Sequence, residues 1–127
     1  MLTPEDLRYS SDHEWVTLVE EGRVRVGITD YAQDALGDVV FVELPVIGTA
    51  VIAGGPMSEV ESTKSVSDVY APVDGVVVEI NSDLIDAPER INEDPYGEGW
   101  LCVIELAKGA LVDSLLNAAG YRELTEG

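Results

Sequence analysis

The stretch VESTKSVSDVYAPVDG, Val60 to Gly75, places Lys64 among small polar and β-branched residues. Two similar segments flank it: PVIGTAVIAGG precedes the lysine and APVDGVVVEIN follows it, each with Pro, Val, a Gly turn and a β-rich run. Two similar β units around one hairpin place its tip midway between them, at the end of a sandwich. The stretch therefore predicts an exposed Lys64 on a turn whose arms are anchored by Val60, Val66 and Val69.

Short segments rich in Val, Ile, Phe and Tyr recur along the chain between Gly, Pro, Asn and Asp, which is typical of strands and turns. In RVRVGI the basic and apolar residues alternate, as in a strand with one face in the core and one in water. The clearest predicted strands are Trp15 to Glu20, Arg23 to Ile28, Val39 to Leu44, Gly75 to Ile80 and Trp100 to Leu106.

Two segments have helical character. TDYAQDALG begins with a good N-cap at Thr29 or Asp30 and stops at Gly37, which predicts one short helix. Near the end of the chain an apolar stripe predicts a second, amphipathic helix packed on the sheets; its members are Leu111, Val112, Leu115, Leu116 and Ala119. Because strands dominate, the sequence favours a mainly β fold, a flattened antiparallel barrel or sandwich with short peripheral helices, over an alternating α/β fold.

The length and composition of the chain are those of one globular domain over residues 1–127. The chain is 46% hydrophobic and 25% charged, and no apolar run approaches the roughly 20 residues of a membrane span. The N-terminal residues have neither a basic leader nor an apolar core of a signal, so we expect the bacterial cytoplasm rather than the mitochondrial matrix. Cys102, the single cysteine, lies in an apolar run and is interpreted as a buried hydrophobe.

The charge balance excludes some partners. The chain has 25 acidic residues against 7 Lys and Arg, a formal net charge of -18, so nucleic acids and anionic membranes would be repelled. The acidic excess keeps the protein soluble, or it steers encounters with basic patches on partner proteins. The sequence does not decide between these two roles.

Lys64 is one of only two lysines, the other being Lys108. An exposed amine with an ordinary pKa of about 10.4 is protonated at neutral pH and is a poor nucleophile. The acidic neighbours Glu59, Glu61 and Asp68 favour its charged form. We therefore interpret Lys64 as a site of acylation, which removes the charge and lengthens the side chain into a tether.

Four stretches carry a family resemblance over nearly the whole chain: SDHEW, GITDYAQDALGDVVFVELP, VESTKSVSDVYAPVDGVVVEIN and NEDPYGEGWL. In this order and at these spacings, the chain resembles the glycine cleavage H-protein family of lipoyl carriers. Two departures are visible: ESTKSVSD replaces the more usual ESVKA pattern, and Asp12 stands where a neutral residue is common. The first departure bears on recognition by the lipoylating enzyme.

The resemblance implies a hybrid barrel-sandwich fold of the biotinyl and lipoyl carriers, with lipoate covalently attached to Lys64. It also implies a carrier that is not itself an enzyme. We expect a monomer, although the sequence does not fix the oligomeric state. Its partners would be glycine decarboxylase (the P protein), aminomethyltransferase (the T protein), dihydrolipoamide dehydrogenase (the L protein) and the lipoylating enzymes. The carrier would take an aminomethyl group from the P protein to the T protein, and the L protein would reoxidise it.

A charge argument adds two candidate residues. The lipoyl-lysine side chain forms a long arm. Its oxidised dithiolane is neutral, whereas the arm loaded with an aminomethyl group ends in a cation. Nearby carboxylates can therefore bind the loaded arm selectively. Glu14 and Asp68 lie in segments shared with the family, and we hypothesise that they dock the loaded arm. The alternative is that both are solvated or structural.

The remaining motifs indicate no further function. His13 is the single histidine, between Asp12 and Glu14, but adjacent residues on a strand point in opposite directions, so no metal site is predicted. NEDPYGEGWL is interpreted as a turn-rich loop in which Gly97 and Gly99 permit tight backbone geometry before Trp100 enters the core.

Two rival readings remain open. One is a biotinyl or lipoyl domain of another complex, although biotin carriers normally have Met on both sides of the lysine and here the neighbours are Thr63 and Ser65. The other is an unmodified interaction module, or an H-like relay that passes lipoyl groups to other enzymes. The mass of the intact protein separates them.

Overall fold

The computed structural model describes residues 2–110, 112 and 114–126. Within these ranges nine strands and four short helices occur. The strands are β1 Arg8–Tyr9, β2 Glu14–Glu20, β3 Arg23–Ile28, β4 Val39–Glu43, β5 Ala50–Val51, β6 Pro56–Ser62, β7 Val66–Tyr70, β8 Gly75–Ile80 and β9 Cys102–Leu106. The helices are α1 Asp30–Leu36, α2 Asp83–Asp86, α3 Arg90–Glu93 and α4 Ala118–Glu126.

Six strands form one sheet in the order β1-β2-β3-β9-β8-β5, and its strand pairs are antiparallel. The predicted alternation in β3 is confirmed, because Val24 and Val26 are fully buried while Arg23 and Arg25 are only half-buried. The hairpin between β2 and β3 turns at Gly22, whose φ of 77° favours glycine.

The second sheet contains β4, β6 and β7, with β6 in the centre and both pairings antiparallel. The sheet's buried valines share a hydrophobic cluster with Ile28 from the first sheet; they are Val39, Val42, Val60 and Val69. The two open sheets therefore pack through a common core, which confirms the mainly β sandwich and the short peripheral helices.

Helix α1 forms where the sequence predicts it. The Thr29 side chain accepts a hydrogen bond from Ala32 N at 3.2 Å, which is the N-cap expected of threonine. The helix ends at Gly37, whose φ of 85° favours glycine and whose N–H donates to Gln33 O.

The C-terminal helix is confirmed, but its predicted apolar stripe is wrong. Helix α4 begins only at Ala118, because Leu116 is held in an antiparallel bridge with Tyr9 by two backbone hydrogen bonds of 2.8 Å. Leu115 and Val112 also precede the helix, Ala119 is exposed, and Leu111 lies outside the described residues. The side chains that α4 buries are Ala118 and Tyr121.

Of the predictions about single side chains, that for Cys102 is confirmed and that for Val66 is wrong. Cys102 is fully buried, as expected, and burial raises the pKa of its thiol to about 12. Val66 does not anchor the hairpin, since it is 56% exposed, whereas Val60 and Val69 are buried. In the described part of the chain, no helix has the length and apolarity needed to cross a bilayer.

A candidate site at the Lys64 hairpin

Lys64 is exposed at the tip of the hairpin between β6 and β7. Hydrogen bonds from the hairpin and from the residue before β4 brace this tip. The Ser62 hydroxyl oxygen accepts hydrogen bonds from Lys64 N at 3.3 Å and Ser65 N at 3.1 Å, and Ser62 N donates to Ser65 O at 2.7 Å. Thr63 N donates to Asp38 O at 3.0 Å, which fastens the tip to the residue before β4. The predicted exposed lysine on an anchored turn is therefore present.

The stem of the lysine lies against Gly37. A Cβ atom built on Gly37 would lie 3.1 Å from Lys64 Cε, which is tighter than an ordinary van der Waals contact. Gly37 therefore has two reasons to be glycine: its positive φ at the end of α1 and the space that it leaves for the lysine stem. The stem of Lys64 therefore runs beside the end of α1.

A cavity of about 340 Å³ opens beside the tip. Four separate segments line it: the residues before and at the start of β2, the end of β3, one face of α1, and the β7 arm of the hairpin. Its lining residues are Asp12, His13, Glu14, Ile28, Tyr31, Ala32, Ala35, Leu36, Ser65, Val66, Ser67, Asp68 and Val69. Because Ser65 follows Lys64 directly, the cavity begins beside the lysine tip.

Glu14 is a buried carboxyl group in the wall of this cavity, only 2% exposed. The Ser10 hydroxyl donates to its Oε1 at 2.6 Å, and Tyr70 N donates to its Oε2 at 3.4 Å. Burial raises the pKa of Glu14 to about 7, and the negative charge of Asp12 adds to the rise, although both hydrogen bonds oppose it. Glu14 therefore changes charge near neutral pH.

Asp68 lies at the rim of the same cavity and is exposed. The structure thus brings both predicted docking residues and the Lys64 tip to one place. The lining contains three carboxylates, from Asp12, Glu14 and Asp68, and no lysine or arginine. A cavity with this lining attracts cations, and its buried carboxylate does so more strongly in the ionised form.

His13 also borders the cavity, in a conformation that the sequence did not predict. It precedes β2 with a φ of 72°, so the alternation of side chains along a strand does not apply to it. Its Nδ1 lies 2.8 Å from the Tyr121 hydroxyl, which lies 2.7 Å from Thr29 Oγ1. Its ring stacks on Tyr31 with centroids 4.8 Å apart. Burial lowers the pKa of His13, which favours the neutral ring.

Asp12, His13 and Glu14 therefore face one cavity, contrary to the expectation that neighbours would diverge. Across the described ranges, no group of three His, Cys, Asp or Glu side chains is placed to hold an ion.

Sequence reasoning missed the part played by α1. Tyr31, Ala32, Ala35 and Leu36 form one wall of the cavity. The signal was present, since Ala32, Ala35 and Leu36 lie on one helical face with two small residues, but small residues on a helix are equally consistent with close packing. The stretch NEDPYGEGWL is a loop only from Asp94 onwards, because its first two residues belong to α3, and Trp100 is half-buried rather than in the core. The Asn92 amide donates to Gly37 O at 2.9 Å and so ties α3 to the end of α1.

The chain is similar to known proteins over nearly its full length. A sequence model of the family described as Glycine cleavage H-protein matches residues 7–127. The glycine cleavage system H protein of Mycobacterium tuberculosis (strain ATCC 25618 / H37Rv) is 57% identical over 130 residues, covering 97% of this chain and 97% of that protein. The protein of the same name from Coprothermobacter proteolyticus is 53% identical over 119 residues, covering 94% of each chain.

A solved structure agrees with these relatives. The crystal structure of a glycine cleavage system H protein from Mycobacterium marinum superposes with a TM-score of 0.88 at 45% sequence identity, covering 98% of this chain and 99% of that one. The fold, the matched range and the identities to these relatives all lead to one assignment. The chain belongs to the glycine cleavage H-protein family.

Proposed function

We propose that this protein is the lipoyl-bearing carrier of a glycine cleavage system, and that Lys64 is the residue that holds the lipoyl group as an amide. The observation that carries the proposal is the placement of one exposed lysine on a rigid turn, beside a cavity able to receive what it carries. The residues present fit this group, because Gly37 places no side chain beside the Lys64 stem.

Lipoate would supply a dithiolane that accepts an aminomethyl group at the P protein, yields it at the T protein and is reoxidised at the L protein. The chain itself would catalyse none of these steps and act as a cosubstrate. Its contribution is a tether: Lys64 keeps the group at a high effective concentration near each enzyme in turn.

Glu14 and Asp68 would bind the cationic end of the cargo. Ionised Glu14 can accept a charge-assisted hydrogen bond inside the cavity, while Asp68 adds negative charge at the rim. The other walls, from α1 and Ile28, are largely apolar and would exclude water from the arm. The cavity would thus protect a labile cargo between the P protein and the T protein.

The experiment is the mass of the intact protein purified from its own cells, with Lys64→Arg and Lys108→Arg variants compared. Lys108 is the other lysine and is also exposed, so it is a matched control. We expect a lipoyl increment that Lys64→Arg abolishes and Lys108→Arg leaves intact. A biotinyl increment, or unmodified protein in cells that cleave glycine normally, would refute the proposal.

A further inference from the structure

Tyr121 of α4 contacts two walls of the cavity beside Lys64 but is not one of its lining residues. Its side chain is buried, and its hydroxyl oxygen lies 2.8 Å from His13 Nδ1 and 2.7 Å from Thr29 Oγ1. His13 directly precedes Glu14 in one wall, and Thr29 caps the helix α1 that forms another. One phenol near the end of the chain therefore joins two separate walls of the cavity.

The Tyr121 hydroxyl group can make both hydrogen bonds at once, because a hydroxyl group donates one bond and also accepts. When His13 Nδ1 carries no proton, the phenol donates to it and accepts from the Thr29 hydroxyl group. When Nδ1 carries a proton, the phenol accepts from it and donates to Thr29 Oγ1. In either arrangement Thr29 Oγ1 can still accept the capping bond from Ala32 N. The bridge therefore forms with either tautomer of His13.

His13 needs such a bridge because of its backbone conformation. Among the described residues it is the only one other than glycine with a positive φ, of 72°. A conformation of this kind persists where the surrounding structure fixes it. The His13 N–H donates to Ser10 O at 3.3 Å, and its carbonyl oxygen accepts from Thr29 N at 3.1 Å. The contact of its ring with Tyr121, at 2.8 Å, is the shortest of the three.

His13 lies inside a short loop that ends at Glu14. Glu14 N donates to Ser10 Oγ at 3.0 Å, and Ser10 N donates to Glu14 O at 2.9 Å, so these two residues close the loop. These bonds do not place the loop against α1. His13 does so, through its contacts with Thr29 and Tyr121 and through its ring stack on α1. We propose that Tyr121 is a positioning residue: its hydroxyl group fastens this loop to α1 and so keeps the Glu14 carboxyl group enclosed in the cavity.

Tyr9 offers a matched comparison for Tyr121. The two rings stack with centroids 4.7 Å apart, both side chains are buried, and the Tyr9 hydroxyl group donates to Pro4 O at 2.7 Å. Tyr9→Phe and Tyr121→Phe each remove one hydroxyl group from this stack and keep both rings. Only Tyr121→Phe breaks the link to His13.

The first measurement is an NMR titration of the Glu14 carboxyl carbon in the unlipoylated protein, for the parent and for both variants. A loosened loop admits water to Glu14, and solvation favours the ionised form. We expect Tyr121→Phe to raise the acid dissociation constant of Glu14 about tenfold, whereas Tyr9→Phe should change it by less than about twofold. An unchanged constant in Tyr121→Phe, or an equal change in Tyr9→Phe, would overturn the positioning role.

The second measurement is the rate of ammonia release from the loaded protein, without partner enzymes, at about pH 8, where Glu14 is mostly ionised. We expect Tyr121→Phe to accelerate release about threefold, because a hydrated Glu14 holds a cationic cargo less tightly. In the Glu14→Gln background the same change should have no further effect, since two changes that act through one group are not additive. A further acceleration in that background would show that Tyr121 acts elsewhere, and would also overturn its positioning role.

This role deepens the proposed carrier function and rests on it, because an enclosed Glu14 serves a cargo that Lys64 holds. The two can fail separately. The titration uses unlipoylated protein, and the lipoyl increment at Lys64 does not require the Tyr121 hydroxyl group. An intact increment with no change in the titration rejects the positioning role alone, whereas a missing increment rejects the carrier function.

Discussion

The Lys64 tip and the Glu14 cavity lie side by side but are built in opposite ways. The tip is one continuous segment: the bonds that the Ser62 hydroxyl accepts span only two or three residues, and a single bond, from Thr63 N to Asp38 O, ties it to a distant segment. The cavity is assembled from four separate segments, and Glu14 contacts Tyr70 across 56 positions. The tip exposes its charge to water, where a charge is well solvated, whereas the cavity buries a carboxyl group where ionisation is expensive.

The largest expected effect is on the free energy of unfolding, and it tests whether buried Glu14 destabilises the protein when it ionises. The folded-state pKa of Glu14, about 7, lies above its ordinary value of 4.5. The stability that protonated Glu14 contributes is fully present below about pH 4.5 and is lost as the pH rises through about 7. Gln cannot ionise, so Glu14→Gln abolishes this pH-dependent loss of stability. We expect it to raise the free energy of unfolding at pH 8 by on the order of 3 kcal/mol relative to the parent.

Denaturant unfolding of both proteins from about pH 5 to pH 8 measures this difference. The matched control is Glu61→Gln, an exposed acid near the tip, which should change the unfolding free energy by less than about 0.5 kcal/mol at any pH. A difference between Glu14→Gln and the parent that does not grow with pH would show that Glu14 is not a destabilised carboxylate.

The same contrast explains what could be predicted from the sequence. The exposure of Lys64 follows from its immediate neighbours, and the strands follow from local alternation. The burial of Glu14 could not be foreseen, because the α1 and β7 walls that enclose it are remote in the chain. A resemblance placed Glu14 among the candidates, but only the fold shows that its environment raises its pKa.

The errors both arise where the fold departs from the local pattern. Val66 fits a strand pattern, yet it lies on the edge strand β7 beside an open cavity, so more than half of its side chain stays exposed. Leu115 and Leu116 follow Val112 by three and four residues, which is helical spacing. The bridge between Leu116 and Tyr9 competes with a helix there, so the helix begins only at Ala118. For Val66 the fold supplies too little cover, whereas for Leu116 a contact distant in sequence overrides a local preference.

The second prediction tests the cavity as a shelter for the loaded arm. If ionised Glu14 binds the cationic cargo, Glu14→Gln removes a charge-assisted hydrogen bond worth about 1.5 to 3 kcal/mol. We expect ammonia release from the loaded protein, without partner enzymes, to accelerate about tenfold or more. The difference should grow from about pH 6 to pH 8, because Glu14 in the parent ionises over that range. An unchanged rate would show that Glu14 does not dock the arm.

The smallest expected effect is that of Asp68, at the rim of the cavity beside the Lys64 tip, on the rate of ammonia release. Asp68 is exposed, so water and salt screen its charge, and it contributes less than buried Glu14 to holding a cation. We expect Asp68→Asn to accelerate ammonia release only about twofold, and to lose even that effect in about 0.5 M NaCl, whereas the effect of Glu14→Gln persists in salt because burial limits screening. A salt-insensitive effect of Asp68→Asn as large as that of Glu14→Gln would mean that the arm closes over Asp68 and buries it, so that the rim belongs to the shelter in the loaded state.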